Sequence, residues 1–527
     1  MKRINFSSKI RVRFSLYESI IQTHLLSEIR VTYSGLIGLV VGLISIVTGL
    51  VFSLVITRTL SPEQYGTWSL IGSIVAYFII SETVISFWTI RQIARGEEVG
   101  KTAVITSGFF SLGIIPLYLA YIYLISGQSN VDQLSMIFGL ILIPVYFISQ
   151  TLAAINRGHK PHAKSFGMLT FETLKIPTIL VFVYFLELGV EGVIIAVTLA
   201  YIAKIGVQIF FAKPKLAGIF RLNTIKRWFK LSWLPFYFSL HRFIQNLDIV
   251  LYLVIVGSVL GLAYYHAALI IAGILVNAGM VSQGLLPKLL SGGKHAYIRE
   301  NFLLLMYIAI PLLAISIIFS RPTLFALNPV YEVAYIVVIF LAFKTFFATL
   351  NSFYYNILTG IETVDVEENP SYSKLLQSKL FSIPTIALVQ STAYLVSTVL
   401  VIFILNSYGF SEIELVTWWS LISLLTQIPF TFYLWNQVRK NVELVIPYIS
   451  IAKYTTATFA FIIVYIFTSD FIIKYEISIY DFLPGLLIQA LICVSIYLSI
   501  TYLIDERTRR LFKSITIEFK TILKRKD

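Results

Sequence analysis

TRTLSPEQYGTWSLIGSIVAY, residues 57–77, contains an apolar run that stops at Arg58, passes through Pro62 and Glu63, and becomes apolar again at Tyr65. In water this would read as a corner between two helices, so the composition has to decide which solvent applies. Of 527 residues, 57% are hydrophobic and 13% charged, against roughly 25% charged in an average soluble domain. The mean hydropathy is +0.83. These totals describe an all-α integral membrane protein.

A membrane span needs about 20 mostly apolar residues. About fourteen such segments follow one another, at 34–57, 65–87, 103–126, 134–156, 166–187, 190–211, 232–256, 259–283, 301–320, 332–358, 382–406, 415–436, 449–469 and 482–504. Residues 57–77 thereby become the short turn between the first two spans. Little chain is left for a soluble domain. The single Cys493 lies inside the last apolar segment, so neither a disulfide framework nor a Cys-based metal site is expected. No cofactor is implied.

Residues 1–33 are basic, with apolar and polar positions interleaved, which does not suit a cleaved signal. Phe14, Tyr17, Ile21, Leu25 and Ile29 recur at helical spacing and predict a basic amphipathic segment on the membrane surface. The tail, 505–527, repeats the pattern with Leu511, Ile515, Phe519 and Ile522 among Arg509, Arg510, Lys513 and Lys520. An even number of spans puts both termini on one side. If that side is cytoplasmic, only Arg58, Arg321 and Lys474 fall outside, Lys175, Lys204, Arg242 and Lys344 stay within spans, and every other one of the 41 Lys and Arg is inside. The net charge of +14 then reflects orientation and anionic headgroups. Nucleic acid is not implied as a partner.

The basic connection 212–231 divides the chain into halves, 34–211 and 232–436, followed by two further spans in 437–504. Shifting the sequence by 200 residues aligns LSPEQYGTWSLI with LGLAYYHAALII, matching Leu60 with Leu260 and Tyr65 with Tyr265. Internal repeats of this kind suit transporter folds with a site between the halves. Pro116, Pro144, Pro177, Pro235, Pro311, Pro384 and Pro429 fall inside spans, where neighbouring helices can replace the lost backbone bond.

The first turn, Leu60-Ser61-Pro62-Glu63-Gln64-Tyr65-Gly66, resembles the Leu-Gly-Pro-Glu-Glu-Tyr-Gly turn of Wzx-type polysaccharide flippases in the multidrug/oligosaccharidyl-lipid/polysaccharide (MOP) exporter superfamily. INRGHKPHAKSFG after the fourth span, and the segment from RWFKLSW to AYYHAAL with Asp248 in mid-helix, are similar too. The chain departs from the family where Ile249 replaces an Arg after the Asp, and its first span lacks the basic cluster expected of lipid II flippases. The resemblance implies two pseudo-symmetric six-helix bundles around a V-shaped cavity, plus two C-terminal helices. It also implies movement of a polyprenyl-diphosphate-linked oligosaccharide across the cytoplasmic membrane, with membrane lipids and glycan-assembly enzymes as partners.

An ionisable residue at mid-bilayer costs about 2.5–3.5 kcal/mol on insertion scales, which makes each one a candidate for function. Lys175, Lys204, His241, Arg242 and Lys344 are the candidates for an anionic substrate; Glu82, Arg91, Glu172 and Asp248 are the candidates for a coupling ion or a gate. Glu172 and Lys175 stand three apart and can neutralise one another. His241, Gln245 and Asp248 share one helical face, beside Arg242 and Asn246, and either line a cavity or bond to other helices. Two alternatives compete. A cation-coupled exporter of small drugs would prefer an acidic cavity, and a multipass glycosyltransferase or polymerase would need a sizeable external loop holding catalytic residues, whereas the external connections are short, their acids such as Glu412, Glu414 and Asp481 are scattered, and no motif such as HExxH occurs.

Overall fold

The computed structural model describes residues 33–94, 96–126, 132–230, 232–285, 289, 296–361, 378–442, 446–510, 512 and 513. The apolar positions expected to form the N-terminal surface helix, most of the acidic loop 361–374 and the tail after 513 lie outside them. Thirteen helices are long and apolar enough to cross a membrane among the described residues. Preceding them, α1 (Tyr33–Thr59) has 27 residues, of which Ile44–Thr59 forms a shorter apolar helix.

The thirteen are α2 (Pro62–Ala94), α3 (Gly100–Leu124), α4 (Gln133–His159), α5 (His162–Phe185), α6 (Gly189–Leu216), α7 (233–256), α8 (Leu260–Gly279), α9 (Ile298–Ile318), α10 (Pro329–Gly360), α11 (Phe381–Ser407), α12 (Glu412–Asn441), α13 (Tyr448–Ile472) and α14 (Ile479–Ile504). Helices α1–α6 pack mainly on one another, α7–α12 do likewise, and α13 and α14 pair together against α9. Between α6 and α7 the basic connection is helical over Leu222–Lys230. Trp228 anchors that helix, fully buried, its Nε1–H donating to Gln92 at 2.8 Å.

The turn that opened the sequence is built by local chemistry. Ser61 and Gln64 form a reciprocal capping box at the start of α2, with bonds of 3.1 and 3.2 Å, and Pro62 supplies the first helical residue without wasting a donor. Gly66 then lets α2 press against α8, because a Cβ there would run into the Val259 carbonyl. Tyr65 is buried in the same contact and packs against Tyr331, ring centroids 5.7 Å apart.

Several helices are interrupted within their length, and proline explains only part of the interruptions. The 3₁₀ segment Gly139–Ile141 in α4 contains Leu140, the carbonyl that Pro144 leaves without a helical donor. In α2, however, the 3₁₀ segment Ile80–Glu82 has no proline, and α7 breaks at Asn246 between Trp233–Gln245 and Leu247–Val256. Gly257, in the left-handed region at φ 74°, ends α7 and donates to Leu253 at 2.8 Å.

Candidate functional site

Three carboxylates are buried inside the spans of the described residues: Glu172, Glu82 and Asp248, at 2%, 3% and 8% exposure. Each is satisfied differently, and the differences define three polar centres.

Glu172 and Lys175 sit one turn apart on α5 and form an ion pair at 2.5 Å. Thr48 of α1 also donates to Glu172. Lys175 lies over the rings of Phe52 and Phe171, each 5.4 Å from the centroid. Lys204, on α6, lies 4.8 Å from the Tyr201 ring centroid and 5.7 Å from that of Phe171. Tyr146 of α4 closes the cluster against Tyr201 at 4.3 Å. Glu172 attracts Lys204 while Lys164 repels it, and no ion pair of Lys204 occurs among the described residues. Glu172 therefore pairs with Lys175 and attracts Lys204, with aromatic faces sharing part of the load, while the exposed Lys164 acts on Lys204.

Asp248 lies in the first turn of the half-helix Leu247–Val256, where unpaired N–H groups favour negative charge. It accepts from the Ile249 N–H at 2.7 Å and from the Tyr394 hydroxyl, whose oxygen in turn accepts from the Trp419 indole at 2.7 Å. Trp419 is sandwiched by Tyr265 at 4.1 Å and Tyr252 at 5.1 Å. Lys344 of α10 acts electrostatically on Asp248. The break at Asn246 is what creates the N-terminus beside Asp248. Gln245 bonds to Gln390 at 3.1 Å, and Gln390 to Gln427 at 3.4 Å. Thus Gln245 and Asp248, which the spacing put on one face, both reach α11, whereas Arg242 is exposed and acts on Tyr355 of α10.

Glu82 ends the bent segment of α2. The Ser86 hydroxyl lies 2.7 and 2.8 Å from its two oxygens, and the Thr151 hydroxyl of α4 donates at 2.6 Å. Arg91 lies over the Phe87 ring at 4.2 Å. His266, half-buried within α8, approaches Ser73 of α2 at 3.4 Å.

The two bundles meet along α2. Besides the Gly66 contact, Tyr77 packs on Phe243 of α7 at 4.2 Å, and the Thr83 and Ser239 hydroxyls are 3.4 Å apart. At the α1–α2 turn the connection is polar. Arg58 donates to the carbonyls of Phe325 and Ala326, both at 2.9 Å, and to that of Ile477 at 2.8 Å, while Thr57 donates to Leu327 at 2.9 Å. Asn328 returns a bond to the Thr57 carbonyl at 2.9 Å. Phe325, Ala326 and Leu327 close the short helix Ser320–Leu327, whose final carbonyls lack helical donors. The sequence singled out Arg58 as an external cation but carried no sign of these carbonyl partners.

Two bundles of six joined along α2, with a C-terminal pair against α9, match known structures. A lipid II flippase, MurJ, in an inward closed conformation, superposes with a TM-score of 0.63 at 14% identity, covering 90% of this chain and 99% of that one. An inward-facing MATE-family multidrug resistance transporter of the MOP superfamily gives 0.52 at 13% identity, covering 77% and 98%. The chain shares the fold of these transporters. A MATE crystal structure agrees, at TM-score 0.52 and 12% identity, with 79% and 96% covered. No protein-family model matches the chain, and no curated protein does. The shared fold accounts for the element order without naming a substrate.

Proposed function

We propose that the chain is a flippase of the cytoplasmic membrane, moving a polyprenyl-diphosphate-linked oligosaccharide between leaflets by alternating access of its two bundles. Both termini are cytoplasmic in this reading, and the α1–α2 turn faces outward. The observation that carries it is the cationic excess in the first bundle. Lys175 and Lys204 lie inside the spans with Glu172 as the shared carboxylate, and Lys164 adds a third positive charge. Such a cluster suits a diphosphate, whose oxygens accept charge-assisted bonds, and disfavours an organic cation. Lys344, His241 and Arg242 are the second bundle's substrate candidates. The named MurJ structure is of a flippase for a lipid-linked substrate and also matches more of this chain than the MATE structures do.

Translocation in proteoliposomes tests the reading. A labelled lipid-linked oligosaccharide should reach the opposite leaflet, and Lys204→Gln should slow this at least tenfold, with Lys204→Arg recovering part of the rate. Extrusion of an organic cation, with no movement of the lipid-linked sugar, would refute it.

A further inference from the structure

We infer that Glu82 is a proton-binding site whose loading sets the bend of α2 between the two bundles. Its role in a transport cycle rests on the flippase reading, but the binding of a proton does not.

The three buried carboxylates of the spans differ in their partners. Glu172 has the Lys175 ammonium at 2.5 Å, and Asp248 has a helix N-terminus and the Lys344 charge. Glu82 has only two neutral hydroxyls, those of Ser86 and Thr151, among the described residues. A carboxylate withdrawn from water without a cation is costly to keep ionised, and it neutralises by taking up a proton or a metal cation. A hard metal cation collects about six oxygens. Glu82 and its two partners offer four, already in direct hydrogen-bond contact, and no metal-binding group of His, Cys, Asp and Glu occurs among the described residues. A hydroxyl can donate or accept, so this pocket serves a carboxylic acid as well as a carboxylate.

The helices packed on the bent segment are α2 itself, α4 and α7. Their ionisable groups nearest this end are Arg91 on α2, Arg157 and His159 on α4, and His241 and Arg242 on α7. No ion pair between any of them and Glu82 occurs among the described residues. The position gives the proton leverage. Glu82 holds the bend to α4 through Thr151, and the next residue, Thr83, touches Ser239 of the opposite bundle. With its proton on, Glu82 stays seated and the bend is fixed on α4. When the proton leaves to water, the carboxylate carries a full charge with no cation beside it, and the Ser86 and Thr151 hydroxyls can then only donate to it. The α2–α7 contact then loosens. Binding and release move one proton and no other group.

Infrared difference titration of the full chain in lipid nanodiscs, without substrate, tests proton binding. Wild type should show a protonated-carboxyl C=O band that disappears as pH rises and is missing from Glu82→Gln, an isostere that retains the Ser86 and Thr151 bonds. Thr151→Val, which leaves the carboxyl untouched, should shift the midpoint of that band. Identical titrations of wild type and Glu82→Gln would overturn the inference. In proteoliposomes, an imposed pH gradient should speed wild-type translocation several-fold and leave Glu82→Gln unaffected. A gradient response retained by Glu82→Gln, or a sodium gradient replacing the proton gradient, would overturn coupling through Glu82. Absence of lipid-linked oligosaccharide movement in wild type would sink the flippase reading alone, since the infrared titration still decides the proton site.

Discussion

Glu172 and Lys175 show how a residue pair can be tolerated in a membrane without proving useful to stability. Removing one partner leaves an uncompensated buried charge, which costs about 3–5 kcal/mol, whereas removing both is often close to neutral. Lys175→Met should therefore lower thermal stability in detergent more than the double variant Glu172→Gln/Lys175→Met. Equal losses would mean the pair is not coupled. At Asp248 the corresponding probe is Tyr394→Phe, which removes one donor from a buried carboxylate and leaves the Trp419 N–H without its acceptor. A loss of about 1–3 kcal/mol is expected in denaturant unfolding. The three-residue spacing of Glu172 and Lys175 could be read from the sequence. The Tyr394 and Trp419 partners of Asp248 could not, since they stand 146 and 171 positions away by their numbers and arrive only through packing of α11 and α12.

Among the helices, α2 carries the most. Gly66→Ala should push α2 off Val259 at a cost of about 1–3 kcal/mol for overpacking, seen as a lower melting temperature, while the same change at Gly72, which faces open space, should not. The start of α4 offers a pH-dependent test outside the spans. The Ser135 hydroxyl and the first backbone N–H groups hold the Asp132 carboxyl below the usual range. Because the folded state favours the ionised form, its contribution is complete above the unfolded value and fades as pH falls through the folded one. Asp132→Asn, which still caps, should flatten that acid-side dependence in a melting series. The break positions in α2 and α7 illustrate a limit of pattern reading: most of the prolines sit in segments that stay helical, whereas Ile80–Glu82 and Asn246 interrupt their helices with no proline, the first beside Ser81 and Thr83 hydroxyls that bond the Phe78 and Ile80 carbonyls of the same helix.

For the molecule as a whole, the decisive question is whether the bundles separate. Thr83 and Ser239 face each other across the α2–α7 contact at 3.4 Å between hydroxyls, so a Thr83→Cys/Ser239→Cys pair in a Cys493→Ala background should form a disulfide on oxidation. Translocation should stop when it forms and resume on reduction; unchanged translocation in a fully cross-linked sample would exclude separation at that point. At the opposite end, Arg58→Gln should increase labelling of an introduced Cys at Tyr331 by an impermeant maleimide, because three carbonyl bonds that hold α1 to the second bundle and to the α13–α14 turn are lost.

By itself the sequence determined the solvent, the order of the spans and the short turn within residues 57–77, because hydrophobicity and helix length are local properties that the bilayer reads segment by segment; it counted about fourteen spans where thirteen described helices are long and apolar enough to cross. It also located the three carboxylates buried within the spans, since such charges stand out in apolar runs, but not Asp505, buried just past the end of α14 against Tyr454 and Thr508. What only the tertiary structure decided was which of these charges share a partner. Glu172 also meets Thr48 of α1, Asp248 meets Tyr394, and among the described residues Glu82 meets only hydroxyls. Likewise Arg58, read as a marker of orientation, became the clasp on Phe325, Ala326 and Ile477. Compensation of buried charge depends on which helices pack side by side, and that neighbourhood is set by the close approach of surfaces hundreds of residues apart.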